Sequence, residues 1–180
     1  VWDARNLTGN VLTRDIVEAA KAWVPQIKEE GADIVIALSH SGIDIKQTDM
    51  MENAAFFLAG VDGIDAVFTG HQHLVFPGKK DFQDLAGVDT GAGTLQGKPA
   101  VQAGFWGSHM GLIDLLLEKD GNAWKVVSVT SEARPIFERV DNKNKATVGD
   151  DQRIVDAVKA DHEATLAYVR RQVGKTSAPL

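Results

Sequence analysis

Three of the five histidines, His40, His71 and His73, fall in two short glycine-marked segments, Ser39-His40-Ser41-Gly42 and Gly70-His71-Gln72-His73. Neutral imidazole is a ligand for zinc, manganese, cobalt or iron, so these residue types gathered at two turns point to metal chemistry. Three histidines alone bring no negative charge. Two divalent ions about 3.5 to 4 Å apart, the usual arrangement for phosphoester hydrolysis, repel each other unless a carboxylate bridges them. The histidines therefore need acidic partners. Asp44 and Asp49 lie nearest to His40 in sequence, but Asp44 reads better as a turn residue and Asp49 as a helix cap. The chain has no cysteine, which excludes disulfides, thiolate metal sites and a cysteine nucleophile. Its formal charge of -6 and pI near 5.3 argue against general nucleic-acid or anionic-membrane binding, both of which need a basic footprint. No run approaches the roughly 20 apolar residues of a membrane span.

The histidines must be held by the elements around them. Ile34-Val35-Ile36-Ala37-Leu38 and Ala66-Val67-Phe68 are continuously apolar and read as buried parallel strands. Each histidine segment then sits at a strand's C-terminal mouth, where open α/β sheets place their ligands. Gly42 and Gly70 are expected to let the backbone swing sharply, and a nearly extended turn would aim His71 and His73 at neighbouring points. A helix is expected from a Thr13 cap to about Glu30, with Ile16, Val17, Ala20, Val24 and Ile27 on one face and a kink at Pro25. A second helix is expected from Asp49, boxed by Glu52, to near Gly60.

Elsewhere, residues 1–12 and the glycine-rich residues 74–97 read as irregular. Strands are expected over 100–103, 111–118 and 124–136, the last two joined by an Asp-Gly turn. Residues 141–151 read as a solvated loop, and 152–173 as an amphipathic helix with Ile154, Val155, Val158, Leu166 and Val169 on one stripe. The tail 175–180 reads as a linker. With 180 residues and 44% hydrophobic content, one sizeable core is expected. Because the sequence opens on Val1-Trp2-Asp3, it reads as a piece of a longer protein. Residues 151–180 would be a long helix leading to an interdomain linker.

The two histidine motifs in this order, with one helix between them and the lead-in Gly63-Ile64-Asp65-Ala66-Val67, resemble the last two metal-binding motifs of the calcineurin-like metallophosphoesterases. Within that superfamily the chain is similar to the 5'-nucleotidase branch. The likeness extends through Met51-Glu52-Asn53, His73-Leu74-Val75-Phe76-Pro77-Gly78, Phe105-Trp106-Gly107-Ser108-His109-Met110-Gly111 and Glu132-Ala133-Arg134-Pro135-Ile136. The resemblance implies an α/β fold, the second half of a four-layer α/β/β/α sandwich with mixed sheets, with residues 1–150 as the C-terminal part of the catalytic domain. It implies that His40 and His71 bind one divalent ion and His73 the other, the pair being Zn, Mn, Co or Mg. It implies nucleotide substrates: 2',3'-cyclic nucleotides opened to 3'-nucleotides, which are then cut to nucleoside and phosphate. The home it implies is the bacterial periplasm or cell surface.

The same resemblance requires three earlier motifs that this sequence lacks: an Asp-x-His, a Gly-Asp whose aspartate bridges the metals, and a Gly-Asn-His. The only Gly-Asp, Gly149-Asp150, follows the histidine motifs. No catalytic residue is therefore assigned in these 180 residues, and the piece alone is expected to be inactive, its partners being the missing N-terminal half of the catalytic domain and a C-terminal domain. Two other readings compete: a non-catalytic binding module of the same fold, and a single structural or transport metal site. Asn53 and His109 are candidate substrate contacts. His109 reads as hydrogen-bonding near the site rather than as a ligand, and His162 as a surface residue. Phe105 and Trp106 could stack a nucleobase, but core packing is the leading reading because base stacking in related nucleotidases belongs to a downstream domain.

Overall fold

The computed structural model describes residues 4–78, 81–175 and 177. After a single turn, α1 (Ala4–Leu7), the first long helix is α2 (Ile16–Glu29). Its cap is Asp15 rather than the expected Thr13. The Asp15 carboxylate accepts from the backbone N–H groups of Val17 at 2.9 Å and Glu18 at 3.1 Å, satisfying two donors that a helix start leaves orphaned. Pro25 lies within α2, which runs on past it. Ile16, Val17, Ala20 and Val24 pack on the core as their spacing predicts, whereas Ile27 is exposed.

Next come β1 (Ile36–Leu38), α3 (Ala55–Ala59), β2 (Ala66–Thr69), β3 (Val75–Phe76), β4 (Val88–Asp89), β5 (Thr94–Leu95) and β6 (Lys98–Ala103). They build a six-stranded sheet in which β1, β2 and β6 run parallel. Two antiparallel strands, β3 and β5, share the far side of β6, and β4 pairs with β5. The sheet is mixed, as expected. The stretch 74–97 is not irregular, however: its two-residue strands exist because β6 and β5 give their backbones partners. Core residues Val24, Leu58, Ile64, Val67, Phe76 and Leu95 lie together among these elements. β1 is a sheet edge, and its Ile36 and Leu38 are exposed, not buried as continuous apolarity suggested.

Antiparallel β7 (His109–Asp120) and β8 (Ala123–Pro135) form a long hairpin with a register shift at Leu116/Leu117. Gly111 brings it close to β6: a Cβ there would come within 3.0 Å of Val101.

Backbone contacts divide the chain into 1–136 and 137–180. The second unit holds the antiparallel pair β9 (Phe137–Val140) and β10 (Lys143–Ala146), then α4 (Gln152–Val169). Residues 141–151 are thus partly strand. Asp141 and Asn142, at φ 49° and 60°, close a two-residue hairpin of the kind that requires left-handed residues. α4 is shorter than expected, is capped by Asp151, and buries none of its residues; Ile154, Val158 and Val169 are exposed. Of the expected linker, residues 176 and 178–180 lie outside the described residues, as do residues 1–3 of the N-terminal stretch. Among the described residues no helix is long and apolar enough to cross a membrane.

Candidate metal-binding site

Because β1 and β2 are parallel neighbours, the segments after them emerge side by side, and a set of hydrogen bonds stitches them together. Ser39 N donates to Phe68 O at 2.8 Å and Gly70 N to Ser41 O at 3.1 Å, with the Thr69 hydroxyl also donating to Ser41 O. The Gln72 side chain grips the backbone of Ile43 from both ends: its Oε1 accepts from Ile43 N at 2.7 Å and its Nε2 donates to Ile43 O at 3.2 Å.

Ser41 is fully buried and organises the return to α3. Its Oγ donates to Glu52 O and accepts from Ala54 N, both at 2.7 Å, and Ala55 N donates to Gly42 O at 3.0 Å. These bonds start α3 at Ala55, so Asp49 is not its cap and no capping box with Glu52 forms. Asp44 is the turn residue expected, its Oδ1 accepting from Lys46 N at 2.8 Å.

The glycines play a different part from the one expected. Gly42 and Gly70 have no left-handed φ; His71 and His73 do, at 70° and 60°. The turn is therefore not extended, and each histidine carries a backbone cost of roughly 1–2 kcal/mol. Strain of this kind concentrates at functional sites. Gly42 serves close approach instead: a Cβ there would lie 2.3 Å from Gln72 Cγ and Cδ and 2.4 Å from Asn53 Oδ1.

The outcome is that His40 and His71 meet edge-on, ring centroids 5.3 Å apart. His71 Nε2 lies 2.8 Å from Glu52 Oε1. His73 turns elsewhere, its ring stacked on Phe105 at 5.2 Å. Two imidazoles and a carboxylate thus gather at the mouths of β1 and β2. Among the described residues no three His, Asp or Glu side chains close into a metal-holding cluster by themselves. Sequence spacing alone gives Glu52 the part of a helix-box residue and assigns Gln72 no role of its own. Glu52 was findable, since it sits in the Met51-Glu52-Asn53 segment, but its pairing with His71 depends on the fold.

No family model matches the chain. Over 98% of its length it is 44% identical to the 2',3'-cyclic-nucleotide 2'-phosphodiesterase/3'-nucleotidase of Salmonella typhimurium, covering 27% of that protein. It is 40% identical over 99% of its length to the trifunctional nucleotide phosphoesterase protein YfkN of Bacillus subtilis, covering 12% of it. The crystal structure of calcineurin-like phosphoesterase YfkN from Bacillus subtilis superimposes with a TM-score of 0.82 at 38% identity, over 94% of this chain and 49% of that one. The chain is a relative of the calcineurin-like phosphoesterases. It shares their mixed α/β fold and spans about a quarter of the length of the Salmonella nucleotidase.

Against that relationship the remaining candidates take their places. Asn53 is half-buried beside Gly42, and its Oδ1 is buried without a hydrogen-bond partner. His109 hydrogen-bonds through Nδ1 to Ser108 Oγ at 2.9 Å. His162 is exposed on α4. Core packing is overturned for Trp106, which is 93% exposed, while Phe105 is 43% exposed.

Proposed function

We propose that the full-length protein carrying this chain is a two-metal nucleotide phosphoesterase. It would open ribonucleoside 2',3'-cyclic phosphates to 3'-nucleotides and hydrolyse these to nucleoside and phosphate. The observation that carries the reading is the meeting of His40 and His71 at 5.3 Å across two stitched strand mouths. The identity to named nucleotidases along 98% of the chain supports it. The donor chemistry suits a divalent ion: the imidazoles of His40 and His71 would ligate through nitrogen once His71 Nε2 exchanges its Glu52 contact for the ion, with that carboxylate at hand beside it. In the proposal His40 and His71 hold one ion and His73 holds a second, of Zn, Mn, Co or Mg. When bound, such a pair polarises the phosphoryl oxygens and activates water.

This chain's own contribution is positional. The Gln72 grip on Ile43 and the Ser41 bonds fix the backbone from which His40 and His71 project. Further ligands and a bridging carboxylate would come from the rest of the protein, this chain forming the second half of a four-layer sandwich with a further domain beyond. By itself the 180-residue chain would turn over little or no substrate. The same resemblance supports a periplasmic or cell-surface location. The test is hydrolysis of 2',3'-cyclic AMP by the full-length protein and by the 180-residue chain. The full-length protein is expected to act, to lose activity to a chelator and to regain it with Mn or Co. A full-length protein inert under all these conditions overturns the proposal.

A further inference from the structure

The side chain of Gln102, on β6, is fully buried at 0% exposure, and among the described residues neither its Oε1 nor its Nε2 has a hydrogen-bond partner. An amide taken out of water without a partner costs free energy that a methionine of similar length would avoid, so a buried orphan of this kind calls for an explanation. This chain's own residues enclose the group, so it is not a surface left open by the rest of a longer protein. Its place in the sheet shows what lies near it. Gln102 is the last but one residue of β6, paired with Thr69 at the end of β2 on one side and with Phe76 of β3 on the other. Cross-strand partners share a face of the sheet, so all three side chains project the same way. The segment joining those two partners is the one that carries His71 and His73. It crosses the C-terminal end of β6 and is tied there by Gly104 N, which donates to Leu74 O at 3.1 Å.

That crossing is strained. Gln72 N donates to Gly70 O at 2.8 Å, closing a three-residue turn around His71 at φ 70°, the rare sense of such a turn, and His73 follows at φ 60°. The Gln72 side chain is committed to Ile43, which it holds by both N–H and C=O. A second primary amide, with an acceptor and two donors, is able to hold a peptide group in the same two-ended way. We infer that Gln102 is a positioning residue for the metal site: in the metal-loaded protein its amide hydrogen-bonds the backbone of residues 70–73 and holds His71 and His73 in their left-handed conformations. The inference rests on the two-ion phosphoesterase reading for the state in which that bond forms. In the metal-free chain the amide is unpaired, and its strain is relieved when the ions draw the turn onto it.

The test compares the full-length protein with its Gln102→Met variant, each with and without Mn. Removing a buried amide that has no partner should leave the unfolding midpoint of the metal-free protein unchanged or raise it. Mn affinity, by titration calorimetry, should fall about 10- to 100-fold, the usual effect of removing a group that supports a metal ligand. Hydrogen exchange over residues 70–74 of the Mn-loaded protein should be faster in the variant. A lower metal-free midpoint with Mn affinity unchanged would make Gln102 a merely structural residue and overturn the inference, while the parent's bound ions leave the phosphoesterase reading intact. If the variant does not fold, a crystal structure of the Mn-loaded parent decides. Gln102 Oε1 or Nε2 within about 3.2 Å of a backbone N or O of residues 70–73 supports the inference, and an amide unpaired or bonded elsewhere overturns it. A parent that binds no divalent ion sinks the phosphoesterase reading and the inference with it.

Discussion

Replacing Gly42 by alanine tests how the two histidine segments are held. The backbone at Gly42 is one that any residue can adopt, so the penalty comes from space alone. The new methyl would sit 2.3 Å from Gln72 Cγ and Cδ, atoms that cannot swing aside while the amide grips Ile43 at 2.7 and 3.2 Å. Relief requires releasing that grip. Two net hydrogen bonds are worth about 1 kcal/mol each, and residual crowding against Asn53 Oδ1 adds about 1 kcal/mol or more. Gly42→Ala should therefore destabilise by roughly 2–4 kcal/mol in urea unfolding followed by circular dichroism, with the m-value unchanged. In a Gln72→Ala background the grip is already lost and the nearest obstacle is gone, so the same substitution should cost only about 1 kcal/mol. That coupling is what a double-mutant cycle measures. Additive effects, or a Gly42→Ala protein within about 0.5 kcal/mol of the parent, would refute the packing argument.

Ser41→Ala removes a buried hydroxyl that satisfies both Glu52 O and Ala54 N; stability should fall by about 1–3 kcal/mol, and amide exchange at Ala54 should quicken. Asp15→Ala removes the cap of α2 and should cost about 1 kcal/mol by urea unfolding. In the second unit, the hydrogen bond from the Arg153 side chain, with one from its backbone N–H, holds the Asp151 carboxyl below its ordinary value. A lowered folded pKa stabilises above the unfolded value of about 3.9 and is lost as pH falls through the folded one, so α4 should fray only below about pH 4. Carboxyl NMR of Asp151 checks this, and a midpoint at or above the ordinary value would contradict it.

Much of the scaffold was legible because apolar runs and glycine stops report burial directly. β2, the β7–β8 hairpin and the apolar face of α2 follow from such patterns. The start of α3 was not legible, because its caps come from the buried Ser41 hydroxyl and the Gly42 carbonyl, and a chain with Asp49 and Glu52 in box spacing points to the wrong residue. Strands of two residues in 74–97 have no pattern of their own and depend on β6 for partners. β1 looked buried because apolarity alone cannot distinguish a central strand from an edge strand. In the site, the histidine types and spacing were legible, but the left-handed turn at His71 and His73, the Glu52 contact and the exposure of Trp106 arise only when distant segments meet.

The most direct measurement is metal content of the purified full-length protein and of its His40→Ala, His71→Ala and His73→Ala variants, each checked for fold by circular dichroism. The account predicts about two divalent ions in the parent, loss of one with either His40→Ala or His71→Ala, and loss of the other with His73→Ala. Metal content identical in all four folded proteins would contradict it.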